Sequence, residues 1–308
     1  MDKINVAVIG VGHMGKNHAR IYGELDKTEL VGVHDVDMSL GKKIAKDYRT
    51  HYFTNIEDLI TEADAFSIVT PTTFHHEIGK KLLNAGKHLL IEKPITSTTS
   101  EAVELVELAA QNGLILQVGH VERFNPVLDA LEKRLTHPRF IEAHRLSAYP
   151  SRSTDIGVVM DLMIHDLEII LHLVKADIDS IDAVGVPVLS KGEDIANARI
   201  RFENGCVANI TTSRISPEKM RKIRVFQDDA YLSLDYQAQK GEIYRKAGDK
   251  ITRDHITIFK DEPLKRQLSS FIECIYLKDE PRVSGAHAAR ALETAAKICD
   301  LIWSNPFR

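Results

Sequence analysis

The chain has 308 residues, 44% of them hydrophobic, with 40 Lys and Arg against 44 Asp and Glu for a formal net charge of -4. That length can bury sizeable cores and points to two domains, while the slight acidity excludes a general nucleic-acid surface and no segment is long and apolar enough to be a membrane span. Met1 to Val6 lacks the charged start and apolar run of a signal peptide, and Cys206, Cys274 and Cys299 show no Cys-x-x-Cys spacing, so reduced thiols in a cytoplasmic protein are expected.

Along the first 120 residues, short β-rich runs at Ile4 to Ile9, Leu30 to His34, Ala65 to Val69, His88 to Ile91 and Ile115 to Val118 alternate with helical patterns. Such alternation predicts a parallel sheet. Phe74 to Ala85 and Glu101 to Gln111 carry helical spacing, the second with Ser100 as the expected N-cap and Gly113 as the stop.

Gly10-Val11-Gly12-His13-Met14-Gly15 follows the first strand directly and opens a helix. Missing side chains there let backbone amides approach a pyrophosphate at the helix N-terminus. Asp35 ends the second strand, where a carboxylate suits ribose hydroxyls and repels a 2′-phosphate; Val36-Asp37-Met38-Ser39 adds no cation, so NAD is favoured over NADP. Thr70-Pro71-Thr72 follows the next strand at the same sheet edge, and His75 just beyond it caps a helix or meets solvent, or else faces the cofactor. Glu92-Lys93-Pro94 ends the fifth strand at that edge too.

Asn125-Pro126 reads as an N-cap and first helical position, ahead of a strand at Phe140 to His144. The helix expected over 157–174 places Asp161, His165, Glu168 and His172 on one face of an otherwise oily stretch. Unpartnered ionisable groups there are costly, so the stripe lines either a site or a salt-bridge network. Strands follow at Ser180 to Val188, Ile195 to Phe202, Cys206 to Ser213, Lys222 to Gln227, Tyr231 to Asp235 and Ile251 to Phe259, with an Asn204-Gly205 hairpin turn. Helical patterns over Leu264 to Tyr276 and Ala286 to Trp303 close the chain. The expected architecture is α/β: an N-terminal Rossmann dinucleotide-binding domain, 1–121, then an α+β domain with a large, mainly antiparallel sheet, 122–308.

Gly10-x-Gly12-x-x-Gly15, Glu92-Lys93-Pro94, Arg123-Phe124 and Asp161-x-x-x-His165 together resemble the Gfo/Idh/MocA oxidoreductases along essentially the whole chain. The resemblance implies a catalytic set of Lys93, Asp161 and His165, NAD as cofactor, and a sheet used for dimerisation, hence a homodimer or a dimer of dimers. Chemistry offers compatible roles. His165 can take a hydroxyl proton near neutral pH, Asp161 can orient and stabilise the imidazolium, and Lys93 either polarises the substrate oxygen or, if burial lowers its pKa, accepts the proton. The cofactor set is then Gly10, Gly12, His13, Met14, Gly15, Asp35, Thr70, Pro71, His75, Glu92 and Lys93. No Cys or His cluster accompanies Asp161, His165 and Glu168, so no metal is expected. Relatives commonly carry Asp where Glu168 stands, which leaves an orienting role for that residue open.

Val118 to Pro126 and Gly157 to Asp166 look like the subgroup containing UDP-N-acetylglucosamine 3-dehydrogenases, implying oxidation of a sugar C3 hydroxyl to a ketone; a free-sugar or inositol dehydrogenase and a non-catalytic NAD/sugar sensor are the alternatives. Ser213 to Arg224 carries five basic residues against one acid and reads either as a solvated strand and turn or as partners for a sugar-nucleotide diphosphate. Arg214, Arg123 and Arg152 are candidate anion contacts and Tyr149 a candidate stacking surface, completing a substrate set with Lys93, Asp161 and His165; for Arg123, Arg152 and Tyr149 ordinary packing or solvent contact is the alternative.

Overall fold

The structure, a computed structural model, describes residues 3–149 and 156–304. Its contacts divide the chain into one unit of Met1–Val121 with Glu262–Ala289 and a second of Glu122–Asp261 with Arg290–Arg308.

In the first unit β1 (Ile4–Ile9), β2 (Thr28–His34), β3 (His51–Tyr52), β4 (Ala65–Ile68), β5 (His88–Glu92) and β6 (Leu116–Gly119) form a parallel sheet ordered β3-β2-β1-β4-β5-β6. Helices α1 (Gly15–Glu24), α2 (Met38–Asp47), α3 (Ile56–Glu62), α4 (His75–Asn84) and α5 (Thr99–Gln111) make the crossovers. β4 is buried along its whole length, as a strand covered on both faces must be. The order reverses between β1 and β4, so the loops after these strands open the crevice where ligands bind in such sheets. Thr98, two residues ahead of the expected Ser100, caps α5: its hydroxyl accepts from the Glu101 N–H while the Glu101 carboxylate accepts from the Thr98 N–H.

The second unit opens with α6 (Pro126–Glu132), capped by Asn125 as expected. Next come β7 (Pro138–Leu146), a π-helical turn (Val159–Met163) and α7 (Ile164–Val174). β8 (Ile178–Val186), β9 (Ile195–Phe202), β10 (Val207–Ser213), β11 (Met220–Gln227), β12 (Tyr231–Asp235), β13 (Lys240–Ala247) and β14 (Lys250–Ile256) complete an eight-stranded sheet with β7. Its order is β14-β13-β12-β11-β7-β10-β9-β8, antiparallel except where β10 runs parallel to β7. Ile141, Ala143, Ala198, Ile200, Ala208, Ile210, Ile223 and Val225 are fully buried at alternating strand positions, the period of a sheet covered on one face. Residues in register on β7, β11, β12 and β13 form an aromatic row, Phe140, Phe226, Tyr231 and Tyr244, with successive ring centroids 5.6, 4.6 and 5.1 Å apart.

The chain then rejoins the first unit. On α8 (Pro263–Leu277), Leu264, Leu268, Phe271 and Ile272 share a core with Val6 and Val8 of β1 and with Ala19 and Tyr22 of α1. The division at 121/122 expected from sequence therefore assigns Glu262–Ala289 to a different unit from the one it packs with, and the second crossing falls inside α9 (Gly285–Trp303).

Candidate active site

The glycine loop is built on steric necessity. Gly10 has φ +84, and a Cβ there would stand 2.7 Å from the Val69 carbonyl oxygen. At Gly15 a Cβ would meet the Gly10 carbonyl at 1.9 Å, so only glycine lets α1 start this close to β1. Gly12 differs: a Cβ there meets nothing within 4 Å, which leaves open space for a ligand beside the backbone. His13 is exposed, Met14 half-buried, and no side chain caps α1. Those features fit a dinucleotide pyrophosphate.

Asp35 closes this loop from β2. One carboxylate oxygen accepts the Val11 N–H at 2.7 Å and the other the Asp37 N–H at 2.9 Å. Each oxygen keeps a second lone pair, enough to accept from a pair of ribose hydroxyls. The half-buried Asp35 thus ties the loop to the end of β2 while keeping the acceptor character that disfavours a 2′-phosphate.

Two histidines pin the next two loops of the sheet edge. His75, at the start of α4, is 1% exposed; its Nε2 lies 2.8 Å from the Thr70 carbonyl and its Nδ1 2.9 Å from the Pro94 carbonyl. Burial is the main influence on this imidazole and lowers its pKa against the opposing pull of the carbonyls. A ring so enclosed joins the Thr70-Pro71 loop to the Lys93-Pro94 turn; its expected place among the cofactor contacts is corrected to loop support. On α1, fully buried His18 places Nδ1 3.1 Å from Ser67 Oγ and Nε2 3.3 Å from Glu92 Oε1. Glu92 also accepts the Lys93 N–H at 3.3 Å, and its carboxylate lies flat over Gly119, where a Cβ would come within 2.5 Å of Oε1. Lys93 and Glu92 are half-buried, and the Lys93–Pro94 peptide is cis.

In the second unit the acid and histidine expected on a continuous α-helix straddle a change of helix type. Asp161 lies in the π turn and His165 in the first turn of α7, both half-buried. A wide turn of this kind is rare and concentrates at functional sites. It departs from the 3.6-residue spacing that sequence reasoning applies throughout. Glu193 anchors its start: the carboxylate accepts the Val159 N–H at 3.1 Å, the Glu193 carbonyl accepts the Val158 N–H at 3.0 Å, and a Cβ on Gly157 would overlap the carboxylate.

Buried ion pairs hold the rest of α7. Asp166, next to His165, accepts two hydrogen bonds from Arg145 of β7 at 2.8 and 3.1 Å, and Arg145 also reaches Glu122 at 3.3 Å. Burial works against the Arg145 charge, but Asp166 and Glu122 outweigh it and keep the guanidinium protonated well above its usual range. Glu168 accepts from Arg123 Nε at 3.1 Å, and Arg123 Nη1 donates to Glu132 at 2.8 Å. The Asp-to-Glu departure at 168 therefore serves an internal pair. His172 stands 3.2 Å from the same Glu132.

Two expected substrate contacts change role. Arg123 is 1% exposed and bound to Glu132 and Glu168, so it holds α6 to α7 instead of meeting a phosphate. Arg214, also 1% exposed, donates to Asp194 at 2.8 Å and to the Ser190 hydroxyl at 3.0 Å. Asp194 further accepts the Val188, Leu189 and Ser190 N–H groups and the Ser190 hydroxyl; burial opposes its charge, yet the Ser190 hydroxyl, the Leu189 and Ser190 amides and Arg214 hold the carboxyl well below its ordinary range. Tyr149 is 42% exposed, and Arg152 lies outside the described residues. His18, Glu122, Arg145, Asp166, Glu193 and Asp194 were not singled out from sequence for these roles, because each is defined by a partner distant in the chain. No metal-binding grouping of three His, Cys, Asp or Glu occurs among the described residues.

Comparison with known proteins adds independent findings. Residues 4–120 match the GFO_IDH_MocA family, described as an oxidoreductase family with an NAD-binding Rossmann fold, and residues 131–233 match the GFO/IDH/MocA C-terminal domain. UDP-N-acetylglucosamine 3-dehydrogenase of Acidithiobacillus ferrooxidans is 35% identical over 305 residues, 97% of each chain. A solved structure of an enzyme of that name from the same organism superposes with a TM-score of 0.94 at 34% identity, covering 98% of each chain. The NAD(+)-dependent scyllo-inositol 2-dehydrogenase of Bacillus subtilis is 27% identical, over 70% of this chain and 68% of its own.

Proposed function

The chain belongs to the Gfo/Idh/MocA oxidoreductase family, and from that membership we propose that it oxidises the C3 hydroxyl of UDP-N-acetylglucosamine to the 3-keto sugar with NAD. The observation that carries the substrate is the similarity to a UDP-N-acetylglucosamine 3-dehydrogenase across 97% of both chains; the similarity to the Bacillus subtilis inositol dehydrogenase is lower and stops at 70% of this one.

Gly10, Gly12, Gly15 and Asp35 would hold the dinucleotide, with His13, Met14, Thr70, Pro71, Glu92 and Lys93 around it. NAD, when bound, supplies the acceptor for the hydride that leaves the sugar carbon. His165 takes the hydroxyl proton as the ketone forms, a task for which an imidazole is suited near neutral pH. Asp161 stabilises the imidazolium that results, and the Lys93 ammonium stabilises alkoxide character on the reacting oxygen. Tyr149 and Arg152 are the proposed contacts for the base or sugar and the diphosphate.

Residues 1–121 would carry cofactor binding, and the unit beginning at 122 substrate binding and self-association. A homodimer through the sheet is supported by the Phe140–Phe226–Tyr231–Tyr244 row, whose Phe226 is 37% exposed. A cytoplasmic location is supported by three unpaired cysteines, with burial raising the thiol pKa of Cys206 to about 11 and of Cys299 to about 12.

The test is incubation with NAD and UDP-N-acetylglucosamine, scored by NADH formation, with the product identified by mass and NMR. A ketone at C3 is expected. Oxidation at another carbon, or turnover only of unphosphorylated polyols, would overturn the assignment. His165→Ala should lower kcat by about 10²–10⁴-fold while NAD still binds; wild-type turnover by that variant would remove His165 from the catalytic set.

A further inference from the structure

A chain of buried polar groups runs under the first sheet and ends at the backbone of Lys93. Tyr22 Oη lies 2.9 Å from Ser67 Oγ, which lies 3.1 Å from His18 Nδ1; His18 Nε2 faces Glu92 Oε1 at 3.3 Å, and the Glu92 carboxylate accepts the Lys93 N–H. Tyr22, Ser67 and His18 are each at most 1% exposed. Such groups keep their place only if donors meet acceptors.

One arrangement of protons pairs Tyr22, Ser67 and His18 Nδ1, and it leaves Nε2 and Glu92 Oε1 facing each other at 3.3 Å as a charge–dipole contact without hydrogen-bond geometry. Burial raises the Tyr22 phenol pKa, so it stays protonated and donates to Ser67. The Ser67 hydroxyl then donates to His18 Nδ1, which places the imidazole proton on Nε2, facing the carboxylate. A neutral imidazole offers an acceptor on one edge and a donor on the other, so a single ring can face both neighbours.

We propose that His18 is a positioning residue for Lys93: oriented by the Tyr22–Ser67 hydroxyls, its imidazole fixes the Glu92 carboxylate, and the carboxylate fixes the backbone from which Lys93 extends. The proposal rests on the catalytic role given to Lys93 above. His18 stands one turn into α1, the helix that begins at the dinucleotide loop, so a single element carries both the cofactor cradle and the support for the lysine.

Variants at His18 separate positioning from mere filling of space. Leu keeps bulk without polarity, Asn reaches only as far as Nδ1, and Gln returns an N–H near the place of Nε2. His18→Leu and His18→Asn should lower kcat up to about 10²-fold, the effect of displacing a catalytic group by about 1 Å. NAD affinity should stay within about threefold, and His18→Gln should recover most of the rate. Gly119→Ala, which pushes the same carboxylate from β6, should reproduce the kcat loss. Equal kcat for Leu, Asn and Gln variants, whether at the wild-type level or uniformly low, would overturn the proposal.

A second readout does not depend on turnover. The 13C-methyl NMR signal of reductively methylated Lys93, identified by its loss in Lys93→Arg, should move in His18→Leu and return in His18→Gln. A signal unmoved by His18→Leu overturns the positioning role. Wild-type kcat in Lys93→Met, together with a signal that does move, would instead overturn the catalytic role of the lysine and leave the positioning intact.

Discussion

The turn that carries Lys93 and the helix that carries His165 are both held by buried polar groups, but by opposite kinds. Around Glu92 the supports are histidines and hydroxyls, His18, Ser67, Tyr22 and His75, the last able while neutral to donate to one of its two carbonyls at a time. Around α7 they are permanent charges, Arg145 with Asp166 and Glu122, and Arg123 with Glu168 and Glu132. The difference sets two vulnerabilities. An arginine–carboxylate pair stays charged across the working pH range and is expensive to break, whereas a buried neutral imidazole is less expensive to lose but answers to pH.

Removing one partner of a buried pair on α7 should give the largest effect. Arg145→Met leaves Asp166 and Glu122 with a buried cation gone, and should cost about 3–5 kcal/mol in denaturant unfolding. Arg145→Met with Asp166→Leu should recover a substantial part of that loss, because an apolar pair fills the space without uncompensated charge. A loss below about 1 kcal/mol for the single variant would mean that the pair behaves like an exposed one, and the contrast between the two regions would collapse.

Asp35 sharpens the comparison from the other side, as a charge in the first unit that fits a ligand as well as its own loop. Asp35→Ser should weaken NAD binding by about 1.5–3 kcal/mol, roughly 10- to 150-fold, the range for hydrogen bonds to a charged group. Calorimetric titration measures it directly. Unchanged NAD affinity would show that Asp35 serves only the Val11 and Asp37 amides.

Legibility followed the range of the interaction. Gly10 and Gly15 were readable because their need is local, a positive φ at one and a backbone contact five residues away at the other. Asn125-Pro126 likewise announced α6 within three residues. Arg214 and His75 read locally as candidate contacts, whereas the groups that engage them, Asp194 and the Pro94 carbonyl, stand 20 and 19 residues off. His18 and Glu92 are 74 positions apart and meet only once β4 and β5 lie side by side over α1. The π turn under Asp161 left no signal in the apolar spacing, since Val158, Val159 and Met163 are buried in either helix type. β13 was passed over because Lys240–Ala247 is mostly polar, although Gly248, with φ +61, marks its turn into β14.

The smallest expected effect tests the neutral side of the contrast. Burial depresses the folded-state pKa of His75 below its value of about 6.5 in the unfolded chain. Between those two pH values the unfolded chain binds a proton that the fold does not, so stability rises with pH across that window. The contribution is fully present above about pH 6.5, falls as the solution is acidified toward the folded-state pKa, and levels off below it. His75→Gln removes the titration and keeps an N–H for one of the two carbonyls. Urea unfolding between about pH 7 and about pH 5 should therefore show a steeper loss for the wild type than for the variant, the other histidines cancelling in the difference. Parallel slopes would mean that His75 is protonated equally in both states. A shallower loss for the wild type than for the variant would mean that the two carbonyls at 2.8 and 2.9 Å hold it as an imidazolium, and the Lys93 turn would rest on a buried charge just as α7 does.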